Sequence, residues 1–112
     1  MTIAPLRPGH VLVVPVEQID KWTDLPLPLW TRLNEVAHTI AGALDATFEA
    51  VRVGLIVAGL EVPHCHIHLI PIRSESDLSF SNADPSVAAE ELAAQAATIR
   101  AALAARGHSS EI

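Results

Sequence analysis

One hundred and twelve residues is the length of one domain and leaves no room for a second independent core. Half the residues are hydrophobic and only 18% are charged, which excludes disorder over the whole length. A formal net charge of -6 argues against sequence-independent binding to nucleic acid, which draws its affinity from Lys and Arg, and against docking on an anionic membrane. The longest apolar run, residues 53–60, falls well short of the ~20 residues of a membrane span. Residues 1–8 lack the charged-then-apolar layout of a secretion signal. Cys65 is the sole cysteine, so no internal disulfide can form, which suits a reducing cytoplasm.

The chain opens with a Pro-rich turn at residues 5–9. Residues 10–15, His-Val-Leu-Val-Val-Pro, are apolar on both faces and read as a strand covered on both sides rather than an edge. Residues 20–28 carry Pro26 and Pro28 and read as a loop. From Leu29 to Phe48, Leu29, Leu33, Val36, Ala37, Ile40, Leu44 and Phe48 recur at steps of three and four, the stripe of a helix that packs on a sheet. Residues 51–58 are β-branched and short. Residues 62–70 form a second strand, ended by Pro71, and the link at residues 59–61 is short enough for an antiparallel hairpin. Residues 73–84 are polar and read as a surface loop. Asp84 then stands as an N-cap before Pro85, opening an Ala-rich helix through Val87, Leu92, Ala96, Ile99 and Leu103, with Gly107 as its stop. Residues 108–112 read as a frayed end. The expected fold is α+β: an antiparallel sheet, one long central helix, and a C-terminal helix against its side or against a partner.

Three of the six histidines stand in His64-Cys65-His66-Ile67-His68. On a strand, alternation puts the three imidazoles on one face, neighbours about 7 Å apart, and sends Cys65 and Ile67 to the apolar other. A solvated strand face usually carries Thr, Lys or Glu, so the row calls for a chemical reason. One is a metal site, since imidazole ligates zinc and similar ions. Three rings along a strand span about 13 Å and converge poorly, however, and His10 would have to complete the shell. The other is nucleophilic catalysis at phosphorus. A neutral imidazole can attack a phosphoryl centre, neighbouring imidazoles disfavour protonation of the row, and ring donors can meet the charge on the non-bridging oxygens.

Residues 62–71, Val-Pro-His-Cys-His-Ile-His-Leu-Ile-Pro, resemble the signature of the histidine triad (HIT) superfamily. Residues 8–15, Pro-Gly-His-Val-Leu-Val-Val-Pro, resemble that family's upstream strand, and the helix and the Ala58-Gly59 step are similar too. The resemblance runs over residues 5–73, the motif-bearing core of a single domain, followed by a loop at 74–84 and the helix at 85–106. It implies a nucleotide hydrolase or transferase acting through a nucleotidyl-histidine intermediate. Carried over by motif position, His66 is the nucleophile, the His64 carbonyl orients it, and the His64 ring lies near the phosphate and leaving group. His68 and His10 complete the hydrogen-bonded cluster, and Gly59, Leu60, Glu61 and Val62 border the substrate. Members bind purine nucleotides with no metal at the triad and no other cofactor, and many are homodimers. Leu60 and Glu61 replace a polar pair that contacts phosphates in many members: the leucine removes a donor and the glutamate repels phosphate. The family's usual domain also has a helix and a hairpin ahead of the Pro-Gly-His strand, so an incomplete nucleoside pocket and weak catalysis are expected. The alternatives are a nucleotide-binding module with little turnover and a histidine metal site.

The remaining candidates read as structural. Cys65 is expected to be a buried, inert thiol, His38 a boundary residue of the first helix, and residues 79–81 part of a solvated loop. No glycine pattern cradles phosphates in the manner of a kinase or motor. Trp22 and Trp30 are expected to bury area in a core or a subunit contact.

Overall fold

A computed structural model describes residues 1–108. Three strands, β1 (Val11–Val13), β2 (Arg52–Ile56) and β3 (Ile67–Ile72), form one antiparallel sheet in the order β1-β3-β2. All six residues of β3 are buried, as befits the central strand. Its register sets His68 between Leu12 of β1 and Ile56 of β2.

Each face of the sheet has its own cover. Val11, Val13, Ile67 and Leu69 pack on helix α1 (Leu27–Thr47), whose Leu33, Ala37, Ala43 and Leu44 are buried in the same cluster. The stripe read from the sequence thus meets the sheet. On the opposite face Ile70 and Ile72 pack with Leu6 and, at the margin, Ile56 and Leu78. His68 shares that second face, covered by the turn before β1 and the loop after β3, because alternate residues of β3 share a side.

Several boundaries differ from the sequence reading. β1 is an edge of the sheet, not a strand covered on both sides, and has three residues instead of six. Its apolar alternation reflects burial against α1 on one face and half-burial of Leu12 on the other. β3 starts at Ile67 rather than residue 62, so the link from β2 is the ten-residue segment 57–66 and not a tight hairpin. Pro63 is the reason: the His64 N–H bonds the Val62 carbonyl at 2.8 Å, a three-residue turn that folds the chain where an extended strand was expected.

β3 also runs through Pro71. Backbone N and O of one strand residue point to the same side, and the Pro71 carbonyl accepts from Arg7 Nε at 3.1 Å. The missing N–H therefore faces the flank where β1 has already ended, and no ladder bond is lost.

α1 begins at Leu27, inside the segment read as a loop. Pro26 is its N-cap and Pro28 lies in its first turn, where a missing N–H costs nothing because those donors have no partner within the helix. The second helix, α2 (Ala89–Ala105), starts later than Asp84-Pro85 suggested. Asp84 Oδ1 accepts the Ser86 N–H at 2.9 Å and closes a local turn, a use of Asp that competes with capping. Two short 3-10 turns, Glu75–Leu78 and Phe80–Asn82, give the polar loop its shape.

α2 packs on α1 through Ile99 and Leu103. Gly107 ends it as expected: at φ +85° its N–H bonds Ala104 O at 3.0 Å, and the His108 N–H bonds Leu103 O at 2.9 Å. His108 therefore closes the helix rather than fraying, and residues 109–112 lie outside the described residues. No helix among the described residues is long and apolar enough to cross a membrane.

Gly9 is the backbone position with least freedom to change. Its φ is +87°, and a Cβ there would stand 3.0 Å from both Phe48 Cγ and Pro71 Cγ. Gly9→Ala is expected to cost about 1–3 kcal/mol through strained backbone and crowding together. The check is a lower urea midpoint at unchanged slope.

Candidate active site

The turn at residues 5–9 delivers His10 to the covered face of the sheet. The Gly9 N–H is held by Gln95 Oε1 of α2 at 3.0 Å, and the His10 N–H by Arg7 O at 3.2 Å. The Leu6 N–H donates to His10 Nδ1 at 3.0 Å, and His10 Nε2 lies 2.9 Å from His68 Nδ1. A backbone N–H can only donate, so His10 Nδ1 carries no proton in the neutral ring. Its proton sits on Nε2 and is donated to His68 Nδ1, which leaves the His68 proton on Nε2. One backbone amide thus fixes the tautomers of two rings.

His66 is fixed from the other direction. Its Nδ1 lies 2.8 Å from the His64 carbonyl, which can only accept. Nδ1 therefore holds the proton and Nε2 keeps its lone pair in the neutral ring. His64 behaves differently: its Nε2–H donates to the Pro15 carbonyl at 2.8 Å. That bond pins its ring against the end of β1.

Rings 66, 68 and 10 form a contiguous group. The His66 and His68 centroids are 4.7 Å apart and nearly perpendicular, and those of His68 and His10 are 5.2 Å apart. His10 and His68 are 2% and 9% exposed, while His64 and His66 are half-buried. Burial pushes the His10 pKa down to about 4, with His68 adding repulsion. Burial likewise pushes His68 down to about 4, with His66 adding repulsion. Both rings are neutral near pH 7. Among the described residues every fully buried side-chain nitrogen or oxygen has a partner. His66 Nε2 and His68 Nε2 make no hydrogen bond there, so neither atom is sealed off.

The row predicted from strand alternation is only partly a strand property. His68 lies on β3, whereas His64 and His66 precede it on irregular backbone. His66 joins the group because the Cys65 N–H is tied to Ile19 O at 2.7 Å and the His66 ring to the His64 carbonyl. Among the described residues no set of three or more His, Cys, Asp or Glu converges as a metal shell.

Beside His66 opens a cavity of about 150 Å³, lined by Asp20, Lys21, Trp22, Thr23, Val57, Ala58, Gly59 and Cys65. Of the residues expected to border the substrate, Gly59 lines it, in a left-handed conformation with φ +72°. Leu60, Glu61 and Val62 are exposed on the same loop and do not line it.

Cys65 is 2% exposed within the core, and burial pushes its thiol pKa up, away from the thiolate a nucleophile needs. Trp22 and Trp30 stack on each other with centroids 5.0 Å apart. His38 is exposed on α1, and the Ser79 and Ser81 hydroxyls bond one another at 2.7 Å on the exposed loop.

Three contributors had escaped the sequence reading. Phe80 sets its ring edge-on to His68 with centroids 5.2 Å apart. Gln95 holds the turn that carries His10 from more than 80 residues away. Residues 20–23 wall the cavity. Trp22 beside a proline loop and the polar segment 79–81 around Phe80 were the signals in the sequence; nothing pointed to Gln95.

Comparisons with known proteins identify the family. A family model described as HIT domain matches residues 1–75. The bis(5'-nucleosyl)-tetraphosphatase [asymmetrical] of Schizosaccharomyces pombe is 34% identical over 92 residues, covering 72% of this chain and 50% of that protein. The adenosine 5'-monophosphoramidase of Saccharomyces cerevisiae is 33% identical over 76 residues, covering 67% of this chain and 48% of that one. The chain thus spans about half the length of these curated relatives. Among solved structures, a Hit-like protein from Bartonella henselae superposes with a TM-score of 0.75 at 27% identity, over 91% of this chain and 76% of that one. With the family model over residues 1–75, these relatives and the triad-bearing α+β fold in agreement, this chain belongs to the HIT domain family.

Proposed function

We propose that this chain cleaves a nucleoside monophosphate, AMP in the first instance, from a phosphoramidate or polyphosphate through a nucleotidyl-His66 intermediate. One observation carries the reading: the lone pair of His66 Nε2 is free because the Nδ1 proton is committed to the His64 carbonyl, and the ring borders a cavity. The names of the S. pombe tetraphosphatase and the S. cerevisiae phosphoramidase support the reaction class.

In the first step Nε2 attacks the α-phosphorus. A P–N bond forms, and the bond to the leaving group breaks with its electron pair staying on that group, which takes a proton from solvent. The ring becomes cationic, and the His64 carbonyl dipole stabilises it through Nδ1–H. Neutral His68 and His10 help by adding no charge beside it, and in this reading His68 Nε2–H is the donor to a non-bridging oxygen. In the second step water attacks phosphorus and gives up a proton to solvent, the P–N bond breaks with its electron pair returning to Nε2, AMP leaves and His66 is neutral again.

Two further assignments belong to this reading. The assembly is a homodimer: β2 is an open edge of the sheet, and Val51 and Leu55 are 67% and 53% exposed there. Sedimentation of the purified chain reads the mass directly. The compartment is the cytoplasm, in keeping with the free thiol of Cys65.

The test is rapid mixing with adenosine 5'-phosphoramidate, quenching into alkaline denaturant to preserve the P–N bond, and mass analysis of peptides. An adenylyl group on His66 that forms and decays within one turnover is the expected result. Turnover with no adduct on His66 overturns the proposal.

A further inference from the structure

The turn that carries His10 is tied down by distant parts of the chain. The Pro5 carbonyl accepts from the Asp84 N–H at 3.1 Å, Arg7 Nε donates to Pro71 O at 3.1 Å, and the Gly9 N–H donates to Gln95 Oε1 at 3.0 Å. Gln95 is the sole partner of that amide among the described residues. Asp84 and Gln95 both stand beyond residue 75, where the match to the family model ends. Packing secures the turn only in part. Leu6 is buried against Ile70 and Ile72 of the sheet, but the turn also borders a cavity of about 530 Å³, lined in part by Pro5, Pro8, Val87 and Gln95. Beside that open space hydrogen bonds, rather than interlocked side chains, fix the backbone.

The exact position matters because the turn places a proton. The Leu6 N–H reaches His10 Nδ1 at 3.0 Å only while the two ends of the turn keep their spacing, and Gly9 stands directly before His10. Released from the Leu6 amide, the His10 ring can carry its proton on Nδ1 instead. Its Nε2 would then accept from His68 Nδ1, and His68 Nε2 would present a lone pair where the reading above needs a donor. A group that holds a reactive imidazole in one tautomer can matter as much as one that touches substrate.

Building on the nucleotidyl-transfer reading above, we infer that Gln95 is a positioning residue for the reaction: through the Gly9 amide it holds the turn that sets the tautomers of His10 and His68. It does so from α2, outside the histidine motif, and hydrogen-bonds none of the rings itself.

The experiment measures kcat and KM of the full chain on adenosine 5'-phosphoramidate, together with long-range proton–nitrogen correlation spectra of the histidine rings at neutral pH. Gln95→Leu keeps the size of the side chain and removes the acceptor. Its kcat is expected to fall about tenfold, with KM within about twofold of the native value because Gln95 does not line the cavity beside His66. His10 and His68 are expected to pass from the Nε2–H form to mixed tautomers, while His66 keeps its Nδ1–H on the His64 carbonyl. Gln95→Ala, which lacks the acceptor and leaves space in place of filling it, should do the same. Gln95→Glu retains an Oε acceptor and should restore both the rate and the ring spectra. Native kcat or native ring spectra in Gln95→Leu and Gln95→Ala overturn the inference, as does a loss that Gln95→Glu shares in full. The absence of an adenylyl group on His66 during turnover by the native chain overturns the transfer reading instead, and the ring spectra of the variants then still decide whether Gln95 sets the tautomers.

Discussion

Replacing His66 by alanine is expected to reduce turnover of adenosine 5'-phosphoramidate by a factor on the order of 10^4 or more, the scale seen when a covalent nucleophile is removed. The geometry makes the loss specific. His66 is the ring whose Nε2 lone pair is left free by a backbone acceptor and which also borders the cavity. No neighbour is placed to take over: the His68 proton is held on Nε2 by the donation from His10, and the His64 ring, whose lone pair is on Nδ1, is pinned to Pro15 and does not line the cavity. The His66 ring is half-buried and bonds a backbone carbonyl, so its removal should leave the fold intact. Unchanged circular dichroism and thermal midpoint, with neither adduct nor product in single-turnover mixing, is the expected pattern. Retention of even a tenth of the activity would transfer the nucleophile's role elsewhere.

Acid should destabilise the protein well before its carboxylates titrate. His10 and His68 have folded-state pKa values of about 4, against 6.5 for the free side chain. Between those values the unfolded chain binds more protons than the folded one, so stability falls as pH falls. It is full above about pH 6.5 and declines progressively toward pH 4. From pH 7 to pH 5 each ring should lower the unfolding free energy by about 2 kcal/mol, the two not being additive because the rings touch. Urea unfolding at pH 7, 6 and 5 reads this as a falling midpoint. In His68→Asn the fall should shrink by roughly half, while a wild-type midpoint that holds steady from pH 7 to pH 5 would show the pair to be protonated in the folded state. The same neutrality serves the chemistry, because charge on His68 would oppose the cation that forms on His66.

Local pattern made much of this protein legible. The three-and-four spacing from Leu29 to Leu44 places a helix and its buried side, and Gly107 places the end of α2, because both depend on interactions within a few residues. The clash between Pro28 and the expected helix start arose from treating every proline as a breaker, when the first turn has no bond for it to break. Asp84 misled for a similar reason, since an Asp side chain bonds a nearby N–H equally well in a turn and at a cap.

The candidate site divides along the same line. His64-Cys65-His66-Ile67-His68 and the upstream His10 announce themselves as a chemical cluster in the one-dimensional record, because residue type and order carry that information. Which ring keeps a lone pair does not. That was decided by the Leu6 amide, the His64 carbonyl and the Pro15 carbonyl, groups every residue possesses and whose placement only the packed sheet and turns establish. Phe80 against His68 and Gln95 behind Gly9 belong to the same class, since contacts between distant segments exist only once the chain has folded. The sequence by itself thus determined the helices, the antiparallel strands and the histidine chemistry on offer; the tertiary structure alone decided tautomers, burial and the walls of the cleft, because these depend on which backbone groups meet across the fold.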